Sequence, residues 1–562
     1  MQKRGHFIVL EGNNGLGKTT QAHLLDEYLT QKAIPHRLYC FPRYESFFGQ
    51  MAAAFLRGDF GSVENTSPYF VALVFANDRL LARDEIRAAL DEGMIVLADR
   101  WVSSNLAVQA SKFQNDEERE TFNHWVQEME YDIFRQPQPD LTIYLRARPE
   151  ITFRNLRQRG KQTHLRGKAD IEEANVRLVQ ASFDQYERLA ATLPWRRLMA
   201  AGYTAAAAWT LSLAMIDGWR VGLAGRLTAQ AEYLTEVPGV TDIPAMLAGF
   251  TGRILDFQPD SWTTHVSGHP PGALLIFVWL DRIGLGGGGP AALTCVATGA
   301  LASVAVPVTL RALGSETAAR AAVPYLVLLP GAVWIGASAD GMFAGLTSTA
   351  LALLAVALTS GRRALAACTA LAAGALLAFA CYLSYGLVLL APLAGAVVLA
   401  AVSRGHRHTA GPVLATAATA AGAVVVAFSA AGFWWLDGYH LVVQRYYQGI
   451  AAERAYGYWA WANLAAFLLS AGPAAAVVAR RATAAVRHDR AAHVLLPLAA
   501  LLAVAAADLS GLSKAEVERI WLPFAVWLPA GAALLPVSSR RGWLLAGAMI
   551  ALAVNHLLLT IW

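Results

Sequence analysis

The sequence predicts an α/β phosphate-loop (P-loop) domain, a parallel sheet flanked by helices, followed by an all-α polytopic membrane domain of about eleven transmembrane helices. Three observations predict it. Through Leu198 the chain carries 26 Lys+Arg and 26 Asp+Glu, whereas the 364 residues from Met199 to Trp562 carry only 20 and 15. A G-x-x-x-x-G-K-[ST] pattern runs from Gly12 to Thr19. Long Ala/Leu/Val runs occupy most of the remainder. The whole-chain averages, 56% hydrophobic and 15% charged with a mean hydropathy of +0.38, are too apolar for one soluble globular protein and conceal the division.

The formal charge of +5 comes entirely from the second part, where the arginines lie in short gaps between apolar runs. That placement argues against nucleic acid as a partner and for a lipid bilayer. Of seven lysines only Lys514 falls after residue 198. Four scattered cysteines form no C-x-x-C pair and no plausible disulfide framework. The opening "MQKRGHFIVLEG" runs straight into a strand with no signal peptide, so the first domain is expected in the cytosol.

Element by element, "HFIVLEG" reads as a buried strand, "GNNGLGKTT" as a glycine loop, and "QAHLLDEYLTQKA" as a helix with apolar residues at helical spacing. A loop in that position cradles phosphate in backbone N–H groups at a helix N-terminus. Gly12, Gly15 and Gly17 supply the turn, with Asn14 and Thr20 alongside; Lys18 is expected to reach the β- and γ-phosphates of ATP, and Thr19 to ligate Mg²⁺. Two more buried-strand patterns follow, "GMIVLADR" at 93–100, ending in Asp99 and Arg100, and "PDLTIYLRA" at 139–147. Strands alternating with helices imply a mostly parallel sheet with its ligands at the carboxyl edge.

Together with "FPRY" at 41–44, "FANDR" at 75–79, "DRWVSSN" at 99–105 and "RNLRQRGKQTHLRG" at 154–167, these motifs closely resemble the thymidylate kinases over roughly residues 5–195. The resemblance implies ATP-dependent phosphorylation of dTMP with Mg²⁺, and commonly a homodimer. It implies that Phe75 stacks on thymine, that Arg79 hydrogen-bonds the base, and that Phe41, Pro42 and Tyr44 wall the pocket. Arg43 and Arg100 would hold the dTMP phosphate, with Asp99 near the metal and Asn105 beside the nucleotide. Independently of the family, phosphoryl transfer is mostly positioning plus neutralisation of spreading negative charge, which several arginines around a loop lysine provide. No arginine lies within the glycine loop, so the further cations are expected from a lid bearing Arg154, Arg157, Arg159 and Arg166.

Three features depart from the family pattern. Asn14 stands where relatives usually carry an acid, and Val108 where many carry a tyrosine near the sugar. After "ATLPW" the chain enters "RRLMAAGYTAAAAW" in place of a last strand and closing helix, which leaves an open sheet edge and suggests a fusion of two genes near residue 198. The domains are therefore drawn as 1–198 and 199–562.

In the second domain about eleven runs reach spanning length, near 199–216, 290–310, 321–337, 341–359, 364–380, 382–402, 411–430, 459–479, 491–508, 520–537 and 542–561. The segment 271–280 is too short to cross and reads as interfacial or re-entrant. With the first span starting inside, twelve of nineteen arginines fall in cytoplasmic gaps, as the positive-inside bias expects, giving a multi-pass protein of the cytoplasmic membrane. The long loop from Asp217 to Pro271, with "HVSGHPPG" at 265–272 and "ASADG" at 337–341, loosely resembles the GT-C class of integral-membrane glycosyltransferases. That resemblance implies sugar transfer from a polyprenyl-phosphate donor on the outer face, with a loop carboxylate as general base. Asp217, Glu232 and Glu236 are the candidates for the base; His265, His269, Asp340, Lys514 and Arg519 are further candidates for this site. The alternative reading makes the membrane transferase the activity and the kinase-like domain a non-catalytic or regulatory nucleotide binder.

Overall fold

In the computed structural model the described residues are 5–145, 149–158, 163–166, 168, 170–191, 194–336, 338–536 and 539–558. Contacts divide the chain into two compact units, Met1–Pro194 and Trp195–Trp562.

Among the described residues, the first unit is built on four parallel strands, β1 (Phe7–Glu11), β2 (His36–Cys40), β3 (Ile95–Asp99) and β4 (Leu141–Tyr144), in the order β2-β3-β1-β4. Helices α1 (Lys18–Gln31), α2 (Phe47–Leu56), α3 (Pro68–Asp91), α4 (Asp116–Gln127), α5 (Pro149–Gln158) and α6 (Val176–Ala191) complete it. Central strands buried on both faces need continuous apolar sequence, which β1 and β3 supply in Phe7, Val9, Val96 and Ala98, each fully buried. Trp101 packs edge-on against Phe7 and Phe41 and closes this core. Ala72, Ala82, Ile86 and Ala89 of α3 are fully buried; three of the four are alanines, small enough for a close helix-to-sheet approach. At the other side β4 is an edge: among the described residues no strand pairs with its free side, and Leu141 is 51% exposed.

Register sets up the site. Leu10 and Cys40 both stand opposite Asp99, and Glu11 opposite Tyr144. The chain therefore leaves β1, β2, β3 and β4 at one level, where the loops can converge.

The second unit is helical. Among the described residues, seven helices are long and apolar enough to cross a membrane: Trp195–Asp217, Gly288–Ala312, Ala339–Thr359, Arg363–Cys381, Tyr385–Ser403, Arg407–Ala430 and Ala492–Leu509. A membrane protein accounts for these helices. They coincide with seven of the eleven apolar runs, and the other four differ for local reasons. The run at 459–479 is a pair, Tyr456–Ala471 and Ala474–Ala485, bent by 102° around Pro473, which makes eight if the pair counts as one span. The run at 321–337 stops at Val327 before Pro330 and resumes only as Ala332–Ile335. The run at 520–537 is broken into short pieces that include Pro523 and Pro529. The last lies in the helix Arg540–Leu557, which begins with two arginines. Segment 271–280 lies within the helix Pro271–Arg282, whose Leu274, Leu275, Phe277 and Val278 are buried.

Ala339–Thr359 is the central helix, with 78% of its apolar window buried against 17% for the peripheral Arg407–Ala430. Gly341 and Gly345 let neighbours approach it closely: a Cβ on Gly345 would stand 1.7 Å from the Thr298 carbonyl oxygen.

Candidate active site

A cleft of about 1070 Å³ opens over the carboxyl edge of the sheet. Asn14, Gly15, Gly17, Lys18, Thr19 and Thr20 line it from the first loop and the start of α1, Phe41, Pro42, Arg43 and Tyr44 from the second loop, and Asp99, Arg100 and Asn105 from the end of β3 and the segment after it. Phe75 and Arg79 reach it from α3, and Val108 lines it as well. Gly12 sits behind the wall, where a Cβ would meet the Leu145 carbonyl oxygen at 2.6 Å.

The glycine loop has the backbone that phosphate binding requires. Gly12, Gly15 and Gly17 have φ of 142°, 76° and 78°, a region that costs side-chain-bearing residues energy, and α1 begins immediately after Gly17. Lys18 Nζ donates to the Asn13 carbonyl oxygen at 2.7 Å, folded over its own loop. Thr19 Oγ1 donates to Asp99 Oδ2 at 2.5 Å, while Asp99 Oδ1 is buried with no hydrogen-bond partner.

Each cleft arginine is held by a defined partner set. Arg79, 2% exposed, pairs through Nε (3.0 Å) and Nη2 with the fully buried Glu130. Buried Asp78 accepts from the Arg43 backbone N–H (2.7 Å) and from Ser46 Oγ (2.6 Å), and Arg43 Nη2 returns to the Asp78 carbonyl oxygen at 3.1 Å. Arg100 donates through Nη2 to Asn14 Oδ1 and through Nη1 to Ser104 Oγ at 3.3 Å. Burial works against its charge, but Tyr186, Asp99, Glu11 and Tyr44 outweigh that, and the pKa of Arg100 is raised.

Phe75 and Tyr44 each pack against the cluster of Phe55, Leu56 and Val71, and Tyr44 stacks on His164 at 3.8 Å between centroids. Asn105 is buried and spends its amide N–H groups on the Ala72 carbonyl oxygen and Glu130 Oε1. On the far rim Asp170 caps the short helix Ile171–Ala174 by accepting from the N–H groups of Glu172 and Glu173. Burial, then Glu173 and Glu172, push its carboxyl up to about 7.

The lid arginines stand apart from this set. Arg154 and Arg166 are exposed and do not line the cleft; the Arg157 side chain and all of Arg159 lie outside the described residues. Helix α5 is nonetheless seated on the phosphate loop, where Asn155 Nδ2 donates to the Gly15 carbonyl oxygen at 2.8 Å.

Sequence reasoning missed Glu11, Asp78, Glu130, Ser104, Tyr186 and Asp170. Glu11 carried a signal, a lone charge closing an apolar strand. Glu130 lies 51 positions from Arg79 and carried none.

In the helical unit the candidates sort into one cluster and several outliers. His265 Nδ1 lies 2.9 Å from Glu232 Oε1, and His265 Nε2 lies 3.0 Å from Arg519 Nη2. Arg519 also donates to Asp340 Oδ2 at 2.9 Å and to Glu516 Oε2 at 2.6 Å. Glu232, His265, Asp340 and Arg519 are all buried. His269 lies next to them, its Nδ1 2.8 Å from the His265 carbonyl oxygen, and burial lowers its pKa. Glu236 instead braces Arg253 and the Thr263 N–H, Asp217 is exposed beside Arg226, and Lys514 donates to the Ala451 carbonyl oxygen.

Comparison with known proteins places relatives on the first unit. The thymidylate kinase family profile matches residues 10–196. A probable thymidylate kinase of Archaeoglobus fulgidus is 35% identical over 28% of this chain and 71% of its own length. The thymidylate kinase of Mycobacterium tuberculosis is 31% identical over 33% of this chain and 86% of its own. A solved thymidylate kinase from Candida albicans is 24% identical, covering 34% of this chain and 79% of that one, with a TM-score of 0.26.

Proposed function

The chain belongs, through residues 10–196, to the thymidylate kinase family, and from that premise we propose that its first unit transfers the γ-phosphoryl group of ATP to dTMP, giving dTDP and ADP. One observation carries the reading: a single cleft at the carboxyl edge of the sheet holds the phosphate loop together with Arg43, Arg79, Arg100 and Phe75.

The arrangement suits a reaction governed by positioning and charge. Lys18 and the N–H groups at the start of α1 hold the ATP phosphates, and Arg43 and Arg100 hold the dTMP phosphate so that its oxygen attacks the γ-phosphorus in line as ADP leaves. Phe75 stacks on the base, and Arg79, steadied by Glu130, reads its edge. Thr19 and Asp99 fit a divalent metal, because they converge at 2.5 Å and Asp99 presents a second oxygen that is buried and unpartnered. Mg²⁺ bound there would neutralise charge developing on the β- and γ-oxygens. Contact of α5 with Gly15 supports a lid in which the arginines of 154–166 supply further cations. An exposed apolar row on α3, Phe70, Leu73 and Leu81, supports the homodimer, and the phosphate chemistry belongs in the cytosol, where ATP is available.

The test is ADP production by full-length, detergent-solubilised protein with ATP·Mg²⁺ and each deoxynucleoside monophosphate. Turnover selective for dTMP and lost in Lys18→Ala is expected. No turnover from a folded, ATP-binding unit would instead make the domain a regulatory nucleotide binder.

For the helical unit the convergence of Glu232, His265, Asp340 and Arg519 favours the second reading, transfer of a sugar from a polyprenyl-phosphate donor on the outer face. Of the three loop carboxylates Glu232 is the one in the cluster, which makes it the general base of this proposal. Sugar transfer by vesicles that survives Lys18→Ala and is lost in Glu232→Gln is the expected result; equal loss in both variants would contradict independent units.

A further inference from the structure

Behind Arg100, Glu11 is a buried charged group to which the motifs gave no role and which the chemistry above leaves unused. It is 1% exposed, at the last position of β1, and burial pushes its carboxyl pKa up against the opposing pull of Arg100, Ser104, the Trp101 N–H and Lys18. A carboxylate in that place is costly unless its partners compensate, and an apolar residue would extend the strand without that cost.

Both of its oxygens are committed around Arg100. Oε1 accepts the backbone N–H of Trp101 at 2.8 Å, immediately after Arg100. Arg100 has φ of 71°, left-handed backbone that a long side chain adopts only when its surroundings force it. Oε2 accepts from Ser104 Oγ at 2.9 Å and from the Tyr186 hydroxyl at 3.1 Å, and Ser104 Oγ in turn accepts from Arg100 Nη1. One carboxylate thus pins Arg100 at both ends, the strained backbone through Trp101 and the guanidinium through Ser104. Asn14 takes Nη2 without a charge of its own, so this contact orients the guanidinium without neutralising it.

We propose that Glu11 is a positioning residue that, through Ser104 and the Trp101 N–H, sets Arg100 in the geometry that receives the phosphate of the nucleoside monophosphate. The proposal rests on the reading that Arg100 clamps that phosphate. Because Glu11 acts through Arg100 and not on the base, its effect is confined to ligands that carry a phosphate.

The experiment measures binding of dTMP and of thymidine, which lacks the phosphate, to the full-length protein and its Glu11→Gln, Ser104→Ala and Arg100→Ala variants. Glu11→Gln should weaken dTMP about tenfold or more, the scale of one hydrogen bond to a charged group, and leave thymidine unchanged. Ser104→Ala should show the same selectivity with a smaller loss and carries the test if the glutamine variant does not fold. Equal weakening of dTMP and thymidine would reduce Glu11 to a structural brace and overturn the proposal, as would wild-type dTMP affinity in both variants while Arg100→Ala loses it. Wild-type dTMP affinity in Arg100→Ala would overturn the phosphate clamp itself.

Discussion

Removing one partner of the Arg79–Glu130 pair should destabilise the first unit by about 3–5 kcal/mol, whereas removing both should cost little. The structure sets the magnitude: Arg79 is 2% exposed and Glu130 0%, so in Glu130→Ala a guanidinium remains buried with no counter-charge. Asn105 also loses its 3.2 Å acceptor on Glu130, keeping only the Ala72 carbonyl oxygen. For a domain of this size such a loss corresponds to a fall in melting temperature of roughly 6–20 °C. Arg79→Met with Glu130→Leu removes both desolvation costs together and fills similar volume, so its stability should return to within about 1–2 kcal/mol of wild type. Binding of dTMP should fail in both proteins, because the base loses its arginine in one and that arginine loses its support in the other. Melting of the purified chain, with hydrogen exchange over α3 and 128–133 to localise the effect, reads the stability; dTMP titration reads the function. A single variant within about 1 kcal/mol of wild type, or a double variant as unstable as the single one, would refute the buried-pair argument.

Phe75→Ala should raise the KM for dTMP at least tenfold and leave that for ATP nearly unchanged, since a stacked ring serves only the acceptor; a selective ATP defect would misplace the pocket. Asp170 is held at about 7 in the fold against about 3.9 in an unfolded chain, so the folded state keeps a proton that the unfolded state releases. Stability from this group therefore falls as pH rises from about 4 to 7, and Asp170→Asn, which keeps the cap, should flatten the melting temperature over that same range. A variant with the wild-type pH dependence would remove Asp170 from that role. Leu141→Thr, on the open edge, should change stability by less than about 0.5 kcal/mol, against about 3–5 kcal/mol for Phe7→Ala in the core; a loss above 1.5 kcal/mol from Leu141→Thr, a threshold about three times the expected change, would mean that the edge is covered.

The parts of the first unit legible in sequence are those whose chemistry is local. Gly12 to Thr19 is a contiguous loop whose glycines mark positive φ, and β1 and β3 are uninterrupted apolar runs, so strand, loop and helix are read without knowledge of the rest. What holds the arginines was only partly legible: Ser104 lies four positions from Arg100, but Asn14 and Glu130, which hold Arg100 and Arg79, lie 86 and 51 positions away and are brought close only by the fold. Asp78 illustrates the difference: it adjoins Arg79 in sequence, yet it serves Arg43, which is 35 positions away.

In the second unit hydropathy found the apolar runs but not their breaks, since an apolar run keeps its composition whether it forms one straight helix or a pair bent by 102° at Pro473. The polar cluster shows the complementary limit. His265 and Arg519 are 254 positions apart, and although each is a candidate within its own loop, only the fold makes them neighbours. Glu516 and Ala515 hold φ of 60° and 79° directly before the turn that delivers Arg519, a backbone that non-glycine residues adopt at a cost. A fold selected for stability alone would replace buried charges on a strained turn with apolar side chains, as the cost of burying unmatched ions dictates. These groups meet where the 217–271 loop, the start of Ala339–Thr359 and the 510–519 turn come together, so it is there that the proposed sugar transfer is tested.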